Sequence, residues 1–289
     1  MVVVPAQKLR IASWNILHGE QIPPVSNLSP TQWKNNLITG TQQISQNLNL
    51  DFIGIQEIDY NQNRSGNLNQ TKIIADEFGF SNWVFLPTLF GTPGESWFPA
   101  SGNENELITN KSTDLPSSPS YGIGFATNQE IKRIYFKHLG RSLIGMPLLI
   151  PKVEKTGVQF IYVKDEPRVV LVAELVNGLT IAITHLSFVP GVNLFQLTKI
   201  NKFLNQIPGQ SILIGDFNLP ANLPAKLPAK LGGLSSLVTQ NTYPSWKPAT
   251  QFDYILSNRS VKLEVTALQI VKPIISDHLP IGAEITFSS

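Results

Sequence analysis

The chain has 289 residues, of which 42% are hydrophobic and 15% are charged, and its formal net charge at pH 7 is +2. This balance argues mildly against nonspecific clamping of nucleic acid, and the absence of cysteine excludes disulfides, thiolate zinc sites and cysteine nucleophiles. No apolar run reaches the about 20 residues of a membrane span, and the opening MVVVPAQKLR is too soon charged for a secretory signal, so we expect a soluble protein with the cytoplasm favoured.

The first part of the chain alternates predicted strands and helices. Apolar and alternating runs predict strands at 8–17, 51–56 and 82–86. A helix is predicted to begin at the N-cap Ser29 with Pro30 as its first residue, because apolar residues then recur at helical spacing, and a second helix is predicted at 71–78. Strand, helix and strand with polar residues at the strand ends are typical of α/β proteins, which place their chemistry there.

Residues 88–120 are rich in glycine, proline, serine and asparagine and show no clear period. Long insertions without structure of their own are uncommon in compact domains and often form functional rims or lids. We therefore predict a mobile insertion that carries Trp97 and Phe98. A disordered surface insertion is the alternative.

The second part of the chain is predicted to be mainly β-sheet. Strands are predicted at 121–127, 131–139, 158–163, 168–176 and 179–184, mostly antiparallel because their connections are short, and a helix follows at 193–204. Further strands are predicted at 211–214, 252–256, 261–271 and 279–287. The Leu-Pro-Ala repeat at 219, 223 and 227 is predicted to be extended or a string of turns. No boundary is evident, so residues 1–289 are predicted to form a single domain.

Polar side chains stand at or beside the ends of these predicted strands. The apolar run 211–214 leads into Gly215-Asp216-Phe217-Asn218, which sets a carboxylate and an amide on the same side of the chain. Alone, each such residue is more often a turn, cap or packing residue. Together they predict one site that binds a metal ion or a phosphate, formed by Asn15, Glu57, His185, Asp216, Asn218, Asp253, Asp277 and His278.

The motifs around these residues resemble those of the endonuclease/exonuclease/phosphatase superfamily, whose members include deoxyribonucleases, apurinic endonucleases, sphingomyelinases and inositol polyphosphate phosphatases. In chain order they are W-N at 14–15, Q-E at 56–57, Y-G-I-G at 121–124, T-H-L at 184–186, G-D-F-N at 215–218, F-D-Y-I at 252–255 and S-D-H-L-P at 276–280. The combination of G-D-F-N, S-D-H-x-P and an upstream Q-E is specific, whereas each motif alone is not. Glu166-Pro167-Arg168 and Thr242-Tyr243-Pro244 look similar to a small bacterial branch.

The resemblance implies a fold and a chemistry. The fold is a four-layer α/β sandwich, in which two mixed, mostly antiparallel sheets pack face to face with helices outside. The chemistry is hydrolysis of a phosphoester by in-line attack of an activated water, with Mg²⁺ or Mn²⁺ as cofactor. Glu57 is the implied metal ligand, and Asn15 and Asp277 complete or support the metal site.

The resemblance also implies roles for the remaining polar residues. Asp216 orients or deprotonates the water, and Asn218 donates a hydrogen bond to water or phosphate. Asp253 holds His278, which donates to a phosphate oxygen or transfers a proton. His185 is a second donor or the general acid. Whether Asp216 or His278 is the base stays open.

Other residues and other functions are weighed beside this prediction. Tyr121, Arg64 and Trp246 are candidate substrate-binding residues, although a packed tyrosine and a loop-capping arginine are equally common uses. His18 lies beside the metal motifs. Low charge favours a small or lipid phosphoester, while a nuclease acting on DNA or RNA and an inactive binding module of the same fold are the alternatives. We expect a monomer.

Overall fold

The computed structural model describes residues 6–100, 106–113, 115–153, 157–227, 233–257 and 263–287. These residues form two large β-sheets that pack face to face, with helices on the two outer sides. The predicted four-layer α/β sandwich is therefore confirmed. No helix in the described ranges is both long and apolar enough to cross a membrane.

The first sheet contains eight of the described strands, in the order β15-β16-β1-β2-β6-β3-β4, with β5 beside β3. Only β1 and β2 run parallel within it, and the other pairs are antiparallel. Its strands are Gln7–Asn15 (β1), Phe52–Tyr60 (β2), Asn82–Gly91 (β3), Trp97–Pro99 (β4), Ile108–Thr109 (β5), Ser120–Thr127 (β6), Glu264–Ala267 (β15) and Ile281–Phe287 (β16).

The second sheet contains six of the described strands, in the order β13-β14-β12-β11-β10-β7. Its strands are Ile131–Gly140 (β7), Arg168–Leu175 (β10), Leu179–His185 (β11), Gln210–Asp216 (β12), Ser235–Ser236 (β13) and Asp253–Ser257 (β14). The parallel pair here is β11 and β12, which are joined by a helix, as a parallel connection requires. A separate hairpin pairs Met146–Pro151 (β8) with Val158–Val163 (β9).

Three apolar layers hold the sandwich together. Between the sheets, residues such as Phe52 and Phe125 of the first sheet pack in one cluster with Ile183 and Ile214 of the second. The helices Pro30–Ser45 (α1) and Gln70–Phe78 (α2) cover the outer face of the first sheet. The helix Val192–Leu204 (α3) covers the outer face of the second. Burial on both faces explains why the central strands are nearly continuous apolar runs.

The start of α1 is as predicted. Ser29 is the N-cap, its side chain accepts a hydrogen bond from the backbone N–H of Gln32, and the Gln32 side chain accepts one in return from the backbone N–H of Ser29. This reciprocal pair satisfies two backbone donors that the first turn leaves free. Pro30 follows at a position that needs no donor.

Several local predictions differ from the structure. Residues 88–120 are not without structure, because β3 extends to Gly91 and the short strands β4 and β5 pair with it; part of the insertion lies outside the described residues. The Leu-Pro-Ala repeat includes one helical turn, Leu223–Lys226 (α4), in which Pro224 occupies the first turn, where proline costs no hydrogen bond. The strand predicted at 261–271 is confined to β15 within the described residues.

Candidate active site

Three of the predicted site residues form a row across the second sheet. His185 ends β11, Asp216 ends β12 and Asp253 begins β14. The strand register pairs His185 with Asp216 and Asp216 with Asp253. Neighbouring strands lie about 5 Å apart, so these three residues are fixed side by side at one end of the sheet.

The first sheet contributes Asn15 and Glu57 to the same place. Asn15 is the last residue of β1, and its Nδ2 donates to Glu57 Oε1 at 2.9 Å and to Asp216 Oδ2 at 3.0 Å. One buried amide thus joins the carboxylates of the two sheets. The Oδ1 of Asn15 accepts from the backbone N–H of Leu17 at 3.0 Å, which fixes the orientation of the amide.

The sequence predicts that Glu57 stands at the end of its strand. In the structure it lies within the strand, because β2 continues to Tyr60. The register with β6 shifts between Ile55 and Ile58, and the backbone of Glu57 has a positive φ of 56°. A β-bulge of this kind bends the strand and re-aims one side chain. The strain of a left-handed glutamate is characteristic of functional positions.

The loop before β16 brings the last two site residues to the row. Ser276 fixes this loop, because its Oγ donates to the carbonyl of Asn15 at 2.6 Å and accepts from the backbone N–H of His278 at 3.0 Å. His278 Nδ1 lies 2.7 Å from Asp253 Oδ2, and its Nε2 lies 3.6 Å from Asp216 Oδ2.

The two site histidines have opposite electrostatic settings. Burial lowers the pKa of His278, but the carboxylates of Asp253 and Asp216 outweigh burial and hold that pKa well above its usual value. Burial, together with the positive charges of Arg168 and His278, holds the pKa of His185 well below its usual value. The shifts therefore favour the charged form of His278 and the neutral form of His185. This setting disfavours the predicted role of His185 as a general acid and leaves it a hydrogen-bonding partner.

Asn218 and His185 are held against one another. The Nδ2 of Asn218 lies 3.3 Å from His185 Nε2 and donates to the carbonyl of Leu186 at 3.0 Å. The backbone N–H of Asn218 donates to Asp216 Oδ1 at 2.9 Å. The G-D-F-N turn thus orients its own carboxylate.

The negative charge of the carboxylates in the site exceeds the positive charge of the neighbouring side chains. Burial is the main cause that raises the pKa of Glu57, and it raises the pKa of Asp216 and of Asp277 to about 6 each. Glu57 and Asp277 also repel one another electrostatically. Oxygen donors with surplus negative charge are what Mg²⁺ and Mn²⁺ prefer, so this donor set fits a divalent cation.

A second group of possible ligands is less suitable. Ligand atoms of Asp216, Asp253 and His278 lie within 4.8 Å of one another. However, His278 Nδ1 lies 2.7 Å from Asp253 Oδ2, so these two residues already use the facing atoms for their contact with each other. We therefore favour Glu57 and Asp277 as the cation ligands.

Most of the predicted residues border a single cleft of about 410 Å³ between the two sheets. Asn15 and Asp253 are fully buried beneath it. Those that line the cleft are Glu57, His185, Asp216, Asn218, Asp277 and His278, together with Tyr121, Arg64 and His18. Arg64 is bound to Asp59 by hydrogen bonds of 2.8 Å and 2.7 Å, and burial is the main cause that lowers the pKa of His18 to about 3.

Trp246 is the exception among the predicted site residues. It lines a neighbouring cavity of about 540 Å³, whose walls also include Glu20 and Gln159. The two cavities share Leu17, Ile150 and Asp277. Trp246 is thus placed beside the cleft and not in its wall.

Arg168 is a site residue that sequence reasoning missed. Its side chain is only 4% exposed, it lines the cleft, and its Nε has no hydrogen-bond partner among the described residues. The nearest carboxylate oxygens, of Asp165 and Glu166, lie 3.7 Å and 3.8 Å from its terminal nitrogen. The sequence signal for it is Glu166-Pro167-Arg168, a motif similarity that by itself assigns no role to the arginine.

Sequence comparison identifies the family. The profile of the Endonuclease/Exonuclease/phosphatase family matches residues 12–278, a span that includes the row, the bulge and the Ser276–His278 loop. The chain belongs to this family. Phosphoester hydrolysis is the activity of the Endonuclease/Exonuclease/phosphatase family, and phosphatases occur among its structural neighbours. No curated protein sequence matched the chain.

Solved structures share the fold of this Endonuclease/Exonuclease/phosphatase family member. A family protein from Bacteroides thetaiotaomicron superposes with a TM-score of 0.59 at 13% identity, covering 99% of this chain and 97% of the other. A mannosyl-6-phosphatase from the same organism gives 0.57 at 14%, covering 96% and 100%. ANGEL2, a 2',3'-cyclic phosphatase, gives 0.53 at 14%, covering 97% and 95%.

Proposed function

We propose that this family member hydrolyses a small or lipid phosphoester with the help of a divalent cation, Mg²⁺ or Mn²⁺. The observation that carries the proposal is the junction at Asn15, whose amide contacts Glu57 from one sheet and Asp216 from the other. Residues distant in sequence thereby surround one cleft that can hold a single phosphate.

Glu57 and Asp277 are the proposed cation ligands, and Asn15 orients Glu57 while its Oδ1 retains a second lone pair for the cation. A divalent cation bound there would neutralise phosphate oxygens and the charge that develops on the leaving oxygen. Arg168 adds a fixed positive charge, and Asn218 and His185 offer neutral hydrogen bonds to the phosphate or the water.

Asp216 is the proposed base. An imidazolium cannot accept a proton, and the raised pKa of His278 keeps it protonated, so His278 instead donates from Nε2 to a phosphate oxygen. Asp216, with its pKa raised to about 6 chiefly by burial, is close to the value at which a carboxylate both ionises and accepts a proton effectively. Asp253 keeps the His278 ring in its orientation through Nδ1.

A substrate panel tests the proposal. Phosphomonoesters, bis-p-nitrophenyl phosphate, sphingomyelin, phosphoinositides, RNA and plasmid DNA are assayed with Mg²⁺, Mn²⁺, Ca²⁺ and EDTA. We expect turnover of a non-nucleic-acid phosphoester that EDTA abolishes and Mg²⁺ or Mn²⁺ restores. Turnover confined to DNA or RNA would identify a nuclease, and no turnover of any member would favour an inactive binding module.

A further inference from the structure

The β8–β9 hairpin and the residues before it expose an unusual amount of apolar surface. Phe160 and Tyr162 are 68% and 63% exposed, and Leu143 and Ile144, just ahead of β8, are 92% and 71% exposed. Most large apolar side chains of a soluble domain are buried, and an exposed cluster of this size marks a surface that contacts something.

The hairpin is apolar on both of its faces. The register pairs Leu148 with Ile161, and both side chains line the catalytic cleft. Alternate residues of a strand point to opposite faces, so Phe160 and Tyr162 lie on the face turned away from the cleft. An isolated two-stranded hairpin is marginally stable in water, and among the described strands β8 and β9 pair only with each other.

Exposed basic residues flank this surface. Lys152 follows β8 and Lys164 follows β9, and both are exposed. An apolar surface with a basic margin is complementary to an anionic lipid surface, where the lysines meet the headgroups and the apolar side chains meet the acyl boundary.

We propose that Leu143, Ile144, Phe160 and Tyr162, here called the hairpin outer face, dock onto an anionic lipid surface. The inner face of the same two strands forms a wall of the catalytic cleft, so docking holds that cleft close to the lipid surface, separated from it by the hairpin. Only side chains enter the lipid, because the unpaired backbone edges of a two-stranded sheet are too costly to place in hydrocarbon. The inference deepens the proposed function and rests on it for the role of the cleft.

A second copy of the chain is a poorer occupant of this surface. A two-fold interface brings the same patch of both copies together, so it would bring two basic margins into one interface. Like charges placed together across an interface oppose association. A lipid surface with negative charge has the opposite effect.

Vesicle co-sedimentation of the full chain tests the proposal. The probes are vesicles of phosphatidylcholine alone and vesicles of phosphatidylcholine with phosphatidylserine as the minor component. We expect binding to the mixed vesicles, weakened roughly tenfold or more in the double variant Leu143→Ser, Phe160→Ser, because each large side chain no longer leaves water. The control is Val176→Ser, since Val176 is 54% exposed and follows β10 at the end opposite to Arg168 and the cleft.

The basic margin is tested in the same assay. Lys152→Gln with Lys164→Gln should weaken binding to the mixed vesicles and make it less sensitive to salt, with little change for phosphatidylcholine alone. Failure of the wild type to bind either vesicle, or equal binding by the double serine variant, would overturn the proposal. A concentration-dependent dimer that the serine variant loses would assign the surface to a second copy instead.

The vesicle-binding result can be separated from the proposed catalytic function. Asp216→Ala should bind the mixed vesicles as the wild type does, because Asp216 is not part of the outer face. The double serine variant should hydrolyse bis-p-nitrophenyl phosphate at the wild-type rate, since that substrate is in solution. Loss of vesicle binding with retained hydrolysis therefore separates the two proposals.

Discussion

Asp253 is the main residue that favours the charged form of His278 in the cleft. The carboxylate lies 2.7 Å from Nδ1 and is the largest of the causes that raise the pKa of His278 against the opposing effect of burial. Asp253 is itself fully buried, so no water can substitute for this contact without rearrangement. In the proposed mechanism the pair therefore works as a unit, in which His278 binds phosphate and Asp253 favours its charged form.

Asp253→Asn should move the alkaline limb of the pH profile of kcat/KM to lower pH. A group with a raised pKa keeps its proton up to that pKa, so loss of the negative charge makes His278 lose its proton sooner. We expect a fall in kcat of about 10² as well. The pH–rate profile measures both effects, with Asp76→Asn on the exposed side of α2 as the control. An unshifted limb would show that His278 does not control it.

Glu57→Gln should abolish cation binding and cation-dependent turnover without loss of folding. Burial raises the pKa of Glu57, so its charge is costly in the absence of a cation, and the neutral amide should leave the cation-free protein at least as stable. Calorimetric titration with Mn²⁺ and thermal melting with EDTA measure the two effects. Glu174→Gln, on β10 far from the cleft, is the control. Wild-type affinity for Mn²⁺ in the Gln variant would place the cation elsewhere.

Arg168→Lys should raise KM more than it lowers kcat. The planar guanidinium can contact two phosphate oxygens at once, and the shorter ammonium cannot. The positive charge remains, so the fold should tolerate the change better than a neutral substitution. Steady-state kinetics on the preferred substrate give the two constants, and a fall in kcat with unchanged KM would contradict a role in ground-state phosphate binding.

At the level of elements, the turn that ends β12 depends on Gly215. Its φ is +148°, and a Cβ at this position would lie 1.9 Å from the carbonyl oxygen of Thr184 in β11. The close approach of the two parallel strands is what sets Asp216 beside His185. A side chain there must push backbone apart, which cannot be relieved by a rotamer change.

Gly215→Ala should therefore cost more than 2 kcal/mol of stability, roughly the upper range of single substitutions. Gly178→Ala is the matched control, because Gly178 also has a positive φ but has nothing within 4 Å of its ideal Cβ, so that it should cost about 1 kcal/mol. Urea unfolding measures the difference. Equal effects would show that backbone conformation, and not the contact with Thr184, governs both positions.

The elements also show what the sequence could predict. Central strands such as β10, β11 and β12 are apolar because both faces are buried, so their limits can be predicted from the sequence. Once those limits are known, the polar residues at the strand ends can be identified. Strand β8 was missed because Pro147 and Pro151 interrupt its pattern, and prolines are tolerated there since the hairpin has open edges. The bulge at Glu57 was also missed, because it arises from pairing with β6 and not from local sequence.

The sequence could not predict the distances between elements either, because these also depend on contacts between distant parts of the chain. The neighbouring cavity that takes Trp246 is formed where the hairpin meets the loops near Leu17, and no local pattern reports such a meeting. Arg168 begins a buried strand, where an isolated arginine has no periodicity to mark it. Its unpartnered Nε became visible only once its neighbours were placed.

At the level of the whole molecule, ionisable groups that are shielded from solvent divide into two classes, which change the pH dependence of the free energy of unfolding in opposite directions. His138 has its pKa lowered, chiefly by burial, with Glu106 opposing, and its Nε2 has no hydrogen-bond partner among the described residues. Its neutral form belongs to the folded state, so its contribution is lost as pH falls below its usual pKa. Carboxyl groups with raised pKa values, such as Asp277, bind a proton more readily in the folded state, so they stabilise that state as the pH falls.

The pH dependence of the unfolding free energy of the wild type contains both effects. The difference in unfolding free energy between the wild type and a His138 variant isolates the contribution of His138. His138→Gln cannot gain the proton, and its stability relative to the wild type should rise as pH falls from about 8 to about 5. At the upper end both side chains are neutral, and the difference there reports packing alone. Urea unfolding of both proteins across this range gives the comparison, and a constant difference would mean that His138 keeps its usual pKa.

The strand β1 lies between β2 and β16, so Gln7–Asn15 is paired on one side with a strand that contains Phe287. Because β1 precedes the Asp277-His278 loop in the chain, β1 is synthesised well before the strand that pairs with it on this side. A nascent chain that has not yet reached His278 therefore contains most residues of the cleft but lacks this imidazole. Hydrolysis should begin only once β16 has been synthesised and has paired with β1, so that translation itself times the onset of activity.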